Sequence, residues 1–300
     1  MRPHSPSLWP AALPLAALAL CACGPSFDPP ELLASPRLLA VLGEPPELGP
    51  GEKTTLAALH FPPTGESTID WAYCTKGTSI NAATPTALDC VQNDTAPYLF
   101  PIGTGETVDF TMPTLDETQL GVPDYTLGVY LPIRVRLKTP EKTETGIFRL
   151  RFHSPKIPLP KNQNPKLLGL YQVPTDGSAP ETGPTSQPLD EKTPLPWDGK
   201  KPLKLRTALA EGSQETYMTF EGDLTNPTIK TATETIDFQW YADAGAWTPP
   251  TTGPERPDTE FHLDPKKDPP PVGTKINLYV IARDERGGAA WLHRVVEYRP

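Results

Sequence analysis

The chain has 300 residues and a formal net charge of −9, with 37% hydrophobic and 21% charged residues. That is enough for one or two domains with a core, and it excludes an acidic disordered tail. The 41 prolines and 22 glycines exclude a mostly helical protein, because proline removes a backbone donor and breaks helices, while the acidic balance argues against nucleic-acid binding.

In chain order, residues 1–22 read as an export segment. Arg2 and His4 precede an apolar run from Ala11 to Leu20, too short for a membrane-spanning helix and the right length for a signal peptide's apolar region. It ends in Leu20-Cys21-Ala22-Cys23-Gly24, which resembles a bacterial lipobox. That resemblance implies cleavage before Cys23, a diacylglyceryl group on its thiol and an acylated new amino terminus; two or more acyl chains make a stable anchor. Cys21 fits worse, because bulky Leu20 would take the small-residue position. A plain secretory signal is the alternative. Residues 23–35, with Pro25, Pro29 and Pro30, read as a flexible tether.

The remainder reads as two related β units, 36–154 and 165–300, joined by a Pro-rich linker over 155–164. Pro36-Arg37-Leu38-Leu39-Ala40-Val41 recurs as Pro165-Lys166-Leu167-Leu168-Gly169-Leu170, and Thr54-Leu56-Leu59 is echoed by Leu203-Leu205-Leu209. Thr68-Ile69-Asp70-Trp71 returns as Thr235-Ile236-Asp237 with Trp240 beyond it. Each unit closes with a predicted hairpin, Ile133 to Phe152 and Ile276 to Tyr298, the second turning at Arg283-Asp284-Glu285-Arg286-Gly287-Gly288. Short alternating runs between turn clusters predict an all-β fold, and a tryptophan partway along each unit suits an immunoglobulin-like sandwich. The usual bridge flanks that tryptophan. Here Cys74 and Cys90 both follow Trp71, so the expected disulfide is a local staple to the insertion after the tryptophan strand, worth on the order of 3 kcal/mol. Ala208 to Glu215 is the best helical candidate. Pro174 to Lys201 and Pro265 to Pro271 read as long extended or disordered loops.

The lipobox, the phrase from Val41 to Glu52, the tryptophan strand ending in cysteine and the turn from Arg283 to Gly288 resemble lipoproteins of myxobacteria. That resemblance implies tandem immunoglobulin- or PKD-like β domains and brings no assigned activity.

The sequence holds no HExxH helix, nucleophile elbow, Walker loop or dinucleotide fingerprint, and none of His4, His60, His153, His262 and His293 lies at metal spacing with another ligand. Two sets of side chains are candidates for binding. Arg134, Arg136, Lys138, Arg149 and Arg151, with His153, fall on one side of the first hairpin. They are either a docking strip for an anionic partner or a solvated face neutralised by acids such as Glu141 and Glu144. Trp197 and Trp247 lie in proline-flanked, loop-like contexts and Trp291 in a strand. They either stack on sugars or proteins or plug the sandwich edges. Asp223, Asp258, Asp264, Asp284 and Glu285 lie in loops or turns, but without a D-x-D-x-D loop they read as turn residues rather than calcium ligands. The expectation is a non-enzymatic, lipid-anchored spacer or interaction module of a bacterial cell envelope, periplasmic or surface-exposed. It would have no cofactor and no bound metal, would be held at the membrane through Cys23, and would have an envelope protein or a glycan as partner. The alternative is a carbohydrate-binding or carbohydrate-processing envelope protein using Trp197 or Trp247.

Overall fold

The computed structural model describes residues 28–62, 65–76, 87–115, 124–154, 159–221, 228–263 and 269–300. The signal segment, Cys23, Asp223 and Asp264 lie outside them. Residues 31–300 form one compact unit, all β except for a single five-residue helix among the described residues.

The first half contributes β1 (Arg37–Glu44), β2 (Glu47–Leu48), β3 (Lys53–Phe61), β4 (Thr68–Cys74), α1 (Leu88–Gln92), β5 (Leu99–Thr104), β6 (Thr107–Thr111), β7 (Val129–Lys138) and β8 (Thr143–Phe152). A three-stranded sheet β1-β3-β6 faces a five-stranded sheet β2-β8-β7-β4-β5. The second half contributes β9 (Leu167–Gln172), β10 (Leu195–Trp197), β11 (Leu203–Leu209), β12 (Thr216–Glu221), β13 (Thr228–Thr233), β14 (Ile236–Ala242), β15 (Ala246–Thr248), β16 (Thr251–Thr252), β17 (Asp258–His262), β18 (Lys275–Asp284) and β19 (Ala289–Tyr298). Its sheets run β15-β17-β11-β9 and β10-β19-β18-β14-β16, with β12-β13 as a separate hairpin.

The two halves share one topology. In each, the opening strand splits between sheets: β1 and β9 pair with β3 and β11, while β2 and β10 cross over to lie parallel to the last strands, β8 and β19. With the tryptophan strand of each half paired to the first arm of its closing hairpin, β4 on β7 and β14 on β18, this is an immunoglobulin-like sandwich built twice. Trp71 lies opposite Val135 and Trp240 opposite Val280. Aligned on these pairs, Ile69 matches Phe238, so the sequence match of Ile69 to Ile236 is two residues out of register. Both tryptophans are buried, and both indole nitrogens are satisfied, by the Gly105 carbonyl at 2.7 Å and the Thr252 hydroxyl at 2.9 Å.

Alternation explains the cores. Leu131, Ile133, Val135 and Leu137 of β7 point inward to meet Leu56, Trp71 and Phe110, while Phe238, Trp240, Leu278 and Val280 build the second core. A third cluster joins the halves. Irregular pairing between Leu38 and Ala40 breaks the period of β1 and turns both Leu39 and Ala40 onto Tyr279 and Ile281, with Phe61, Tyr241 and Trp291 packed around them.

Three sequence expectations are corrected here. The segment 23–35 is not wholly a free tether: Leu33 is buried, and residues 31–33 bond Ala242 at the end of β14. The 155–164 linker is not a loose spacer over its described part. Asn162 is buried, and Asn164 bonds Gly43 and Glu44 of one half and Ala289 of the other. Ala208 to Glu215 is no helix, because residues up to Leu209 complete β11, whose backbone is taken by β9. The described long loop after β9 is irregular but pinned. Arg206 donates to the carbonyls of Pro180 and Gly183, Arg294 to that of Leu189, and Leu189 packs on the second core.

Candidate functional site

The basic residues of β7 and β8 do share the outward face of the five-stranded sheet, since their neighbours in sequence fill the core. The anionic-partner strip, however, is contradicted at most of its positions. Arg134 and Arg151 are buried, and Arg136 is only 13% exposed at its side chain. Arg134 and Arg136 both pair with Asp94 and donate to the carbonyls of Cys90 and Val91, so they clamp α1 onto the sheet. Burial pushes the Asp94 carboxyl up, but the charges of Arg136 and Arg134 outweigh it and hold it below the usual carboxylate range. Lys138 pairs with Asp70, and Arg149 with Asp124 at 3.4 Å. Arg149 also lies over the Tyr130 ring, 3.9 Å from its centre. The acids that neutralise the face are therefore Asp94, Asp70, Asp124 and Glu47. Glu144, one of the two expected, bonds the Leu38 amide and Lys142 instead.

The Cys74–Cys90 disulfide is present, both cysteines fully buried with Cα atoms 6.1 Å apart. It fastens the other side of α1. The helix has no side-chain N-cap and only five residues, far below the length at which a helix stands alone. Disulfide and arginines hold it.

The loop-tryptophan expectation is also contradicted. Trp197 and Trp247 are buried, in β10 and β15. Phe261 lies between them, its ring centre 5.2 Å from Trp197 and 4.9 Å from Trp247, and Trp247 continues to Trp240 at 5.2 Å. The Trp197 indole donates to the Lys201 carbonyl. These rings form the aromatic spine of the second core and offer nothing to a ligand.

Among the described residues, the largest concentration of buried charge lies between the halves, made by residues that no motif in the sequence connects. Glu47 of β2 receives Arg151 at 3.1 Å, His153 at 3.0 Å and the Asn162 amide at 2.7 Å. Arg286, from the β18–β19 turn, reaches Glu234 at 3.0 Å, Glu215 at 3.5 Å and Glu47 at 3.7 Å. Asp284 accepts from the Arg286 and Gly288 amides and from Asn162. Glu285 accepts from the Tyr217 hydroxyl. Burial pushes Glu234 up to about 7, and Asp284 is raised for the same reason. The signal was available in sequence as the turn Arg283 to Gly288, but its partners come from four distant segments.

The acids considered for calcium are used in these ways too: Asp258 pairs with Arg206 and Lys204, and Asp284 closes its own turn. Among the described residues no three His, Cys, Asp or Glu side chains are placed to hold a metal ion. No helix among them is long and apolar enough to cross a membrane.

No protein-family model and no curated protein sequence matches the chain. Among solved structures, DIP-gamma IG1+IG2 aligns at 7% identity and a TM-score of 0.20, over 88% of this chain and 98% of that one. Murine CEACAM1b aligns at 7% identity and a TM-score of 0.21, over 86% and 98%. Likenesses this faint carry no weight here, and the fold rests on the chain's own strand order.

Proposed function

We propose that this chain is a non-enzymatic, lipid-anchored protein of a bacterial cell envelope, holding a fused pair of sandwiches at the membrane as an interaction module. The observation that carries the reading is the buried Cys74–Cys90 disulfide. Such a bond is a feature of oxidising compartments outside the cytoplasm, which is where the sequence Leu20-Cys21-Ala22-Cys23-Gly24 would send the chain. The buried charges support a module rather than a reaction centre, because Glu47, Arg151, Glu234 and Arg286 are engaged with one another across the join.

The test is metabolic labelling with an alkyne fatty acid in the native host. The wild-type chain takes the label and fractionates with membranes, whereas Cys23→Ser does neither. An unlabelled wild type, or a labelled Cys23→Ser, overturns the anchor. Cross-linking in the same cells, followed by identification of bound material, tests the module: a chain that captures no envelope component overturns that part.

A further inference from the structure

Trp197 and Trp247 are core residues, whereas Trp291 is not. Trp291 is only partly buried. It packs on the cluster that joins the halves and also lines an open cavity of about 440 Å³. Three segments meet there: Leu42, Pro45 and Pro46 at the end of β1, Pro165 just before β9, and Ala290 with Trp291 on β19. Glu44, Gln163 and Lys166 also line it and are exposed.

The cavity lies where the two halves of one compact unit meet. The Asn164 amide nitrogen is bound to Gly43 at 2.7 Å and Glu44 at 2.8 Å, and its carbonyl accepts from Ala289 at 2.9 Å, so the floor is fixed from both halves. Its volume falls in the usual range for small-ligand sites, which concentrate at domain junctions. Among the described residues, neither the Lys166 ammonium nor the Trp291 indole N–H has a hydrogen-bond partner.

We infer that this cleft is a binding site for a neutral saccharide, with one ring lying on Trp291. A sugar ring has a C–H face and a rim of hydroxyls that both donate and accept. The indole and three prolines supply apolar walls for the first. The Glu44 oxygen not taken by Asn164 and the Gln163 carbonyl oxygen supply acceptors for the second, and the Lys166 ammonium supplies donors, the Gln163 amide nitrogen being held by Glu215 at 3.1 Å. One acid and one base cancel, so the site matches an uncharged ligand rather than an anion or a cation. The site goes beyond the anchoring and interaction reading and does not depend on lipidation of Cys23.

The experiment titrates the full chain with N-acetylglucosamine trisaccharide, maltotriose and a deca-proline peptide, read by tryptophan fluorescence and calorimetry. One of the trisaccharides binds. Ala290→Arg, which fills the cleft, and Trp291→Ala each weaken binding by about tenfold or more. Lys166→Ala, at an exposed position, weakens it about threefold with the unfolding transition unchanged. If Trp291→Ala loosens the join, Ala290→Arg decides. Absence of saccharide binding, binding that survives Ala290→Arg, or capture of the proline peptide in place of the sugars overturns the proposal.

Discussion

Two arginines two residues apart on one strand face illustrate how burial sets the worth of a charge. Arg151 is buried against Glu47, so Arg151→Met takes the nearest arginine from a desolvated carboxylate and costs about 3 kcal/mol. Arg149 is 44% exposed and meets Asp124 at 3.4 Å, so Arg149→Ala costs about 1 kcal/mol or less. Urea unfolding of the two variants checks the contrast. Gly128 belongs to the same site. A Cβ there would collide with the Arg151 guanidinium and the Tyr130 hydroxyl, so Gly128→Ala should approach the Arg151 variant in its effect. Glu234 supplies a pH signature. Its folded value is raised to about 7 from the usual 4.5, so the folded state favours the protonated form. That contribution is complete below about pH 4.5 and is lost as pH rises towards 7, by an amount on the order of 3 kcal/mol. Glu234→Gln removes the titration while keeping one of the two bonds the carboxylate accepts, from the Glu215 amide or from Arg286, and flattens this slope, which unfolding at pH 5 and pH 7.5 resolves. His293 runs the other way: burial lowers its value, so its contribution is full above about 6.5 and is lost on acidification below it.

The disulfide acts at the scale of the element. Removing it in Cys74→Ala/Cys90→Ala costs roughly 3 kcal/mol by chain entropy. It also frees α1, so amide exchange over Leu88–Gln92 rises far more than in β14 or β18, as hydrogen-exchange mass spectrometry would show. Uniform acceleration across the second sandwich would count against a local staple. Which elements were readable from sequence follows from the same physics. Over residues 133–138 of β7 and 148–152 of β8 the outward positions are Arg or Lys and the inward ones Leu, Ile, Val or Phe, so a period of two was legible whatever those arginines touched. The short strands β10 and β15 were not legible. Proline within β10 and glycine and proline beside β15 resemble loop, and the two are strands because their backbones pair at sheet edges with β19 and β17, where proline is tolerated. Likewise α1 lacks a cap and a periodic face. Nothing in five residues announces a helix whose supports come from β4 and β7.

For the whole molecule, the join decides how the halves behave. Leu39 and Ala40 are buried against Tyr279 and Ile281, Arg283 donates to the Leu39 carbonyl at 2.6 Å, and the Glu47–Arg286 cluster closes the other side. Interfaces within a chain are often loose, but this one is dry in one part and ionically tied in the other. The wild type therefore unfolds in one calorimetric transition. Ala40→Glu, which puts an unpaired carboxylate into the apolar part, costs several kcal/mol there and splits the melt in two. A single unsplit transition in that variant would falsify the coupling. None of this was readable from the linker's composition, since proline content says that a segment is not helical but not what its asparagines will bind.

The superposed pairs Trp71–Val135 and Trp240–Val280 carry one more consequence. Alignment on them places Arg134 and Arg136 of the first copy where Tyr279 and Ile281 stand in the second. The same sheet face is thus closed twice by different means, by a stapled helix in one copy and by the neighbouring sandwich in the other. Stacking of this kind is head-to-tail and would extend indefinitely if every copy kept the receiving face. Charged residues at those two positions, with the helix they recruit, close the first copy's face to stacking of this kind.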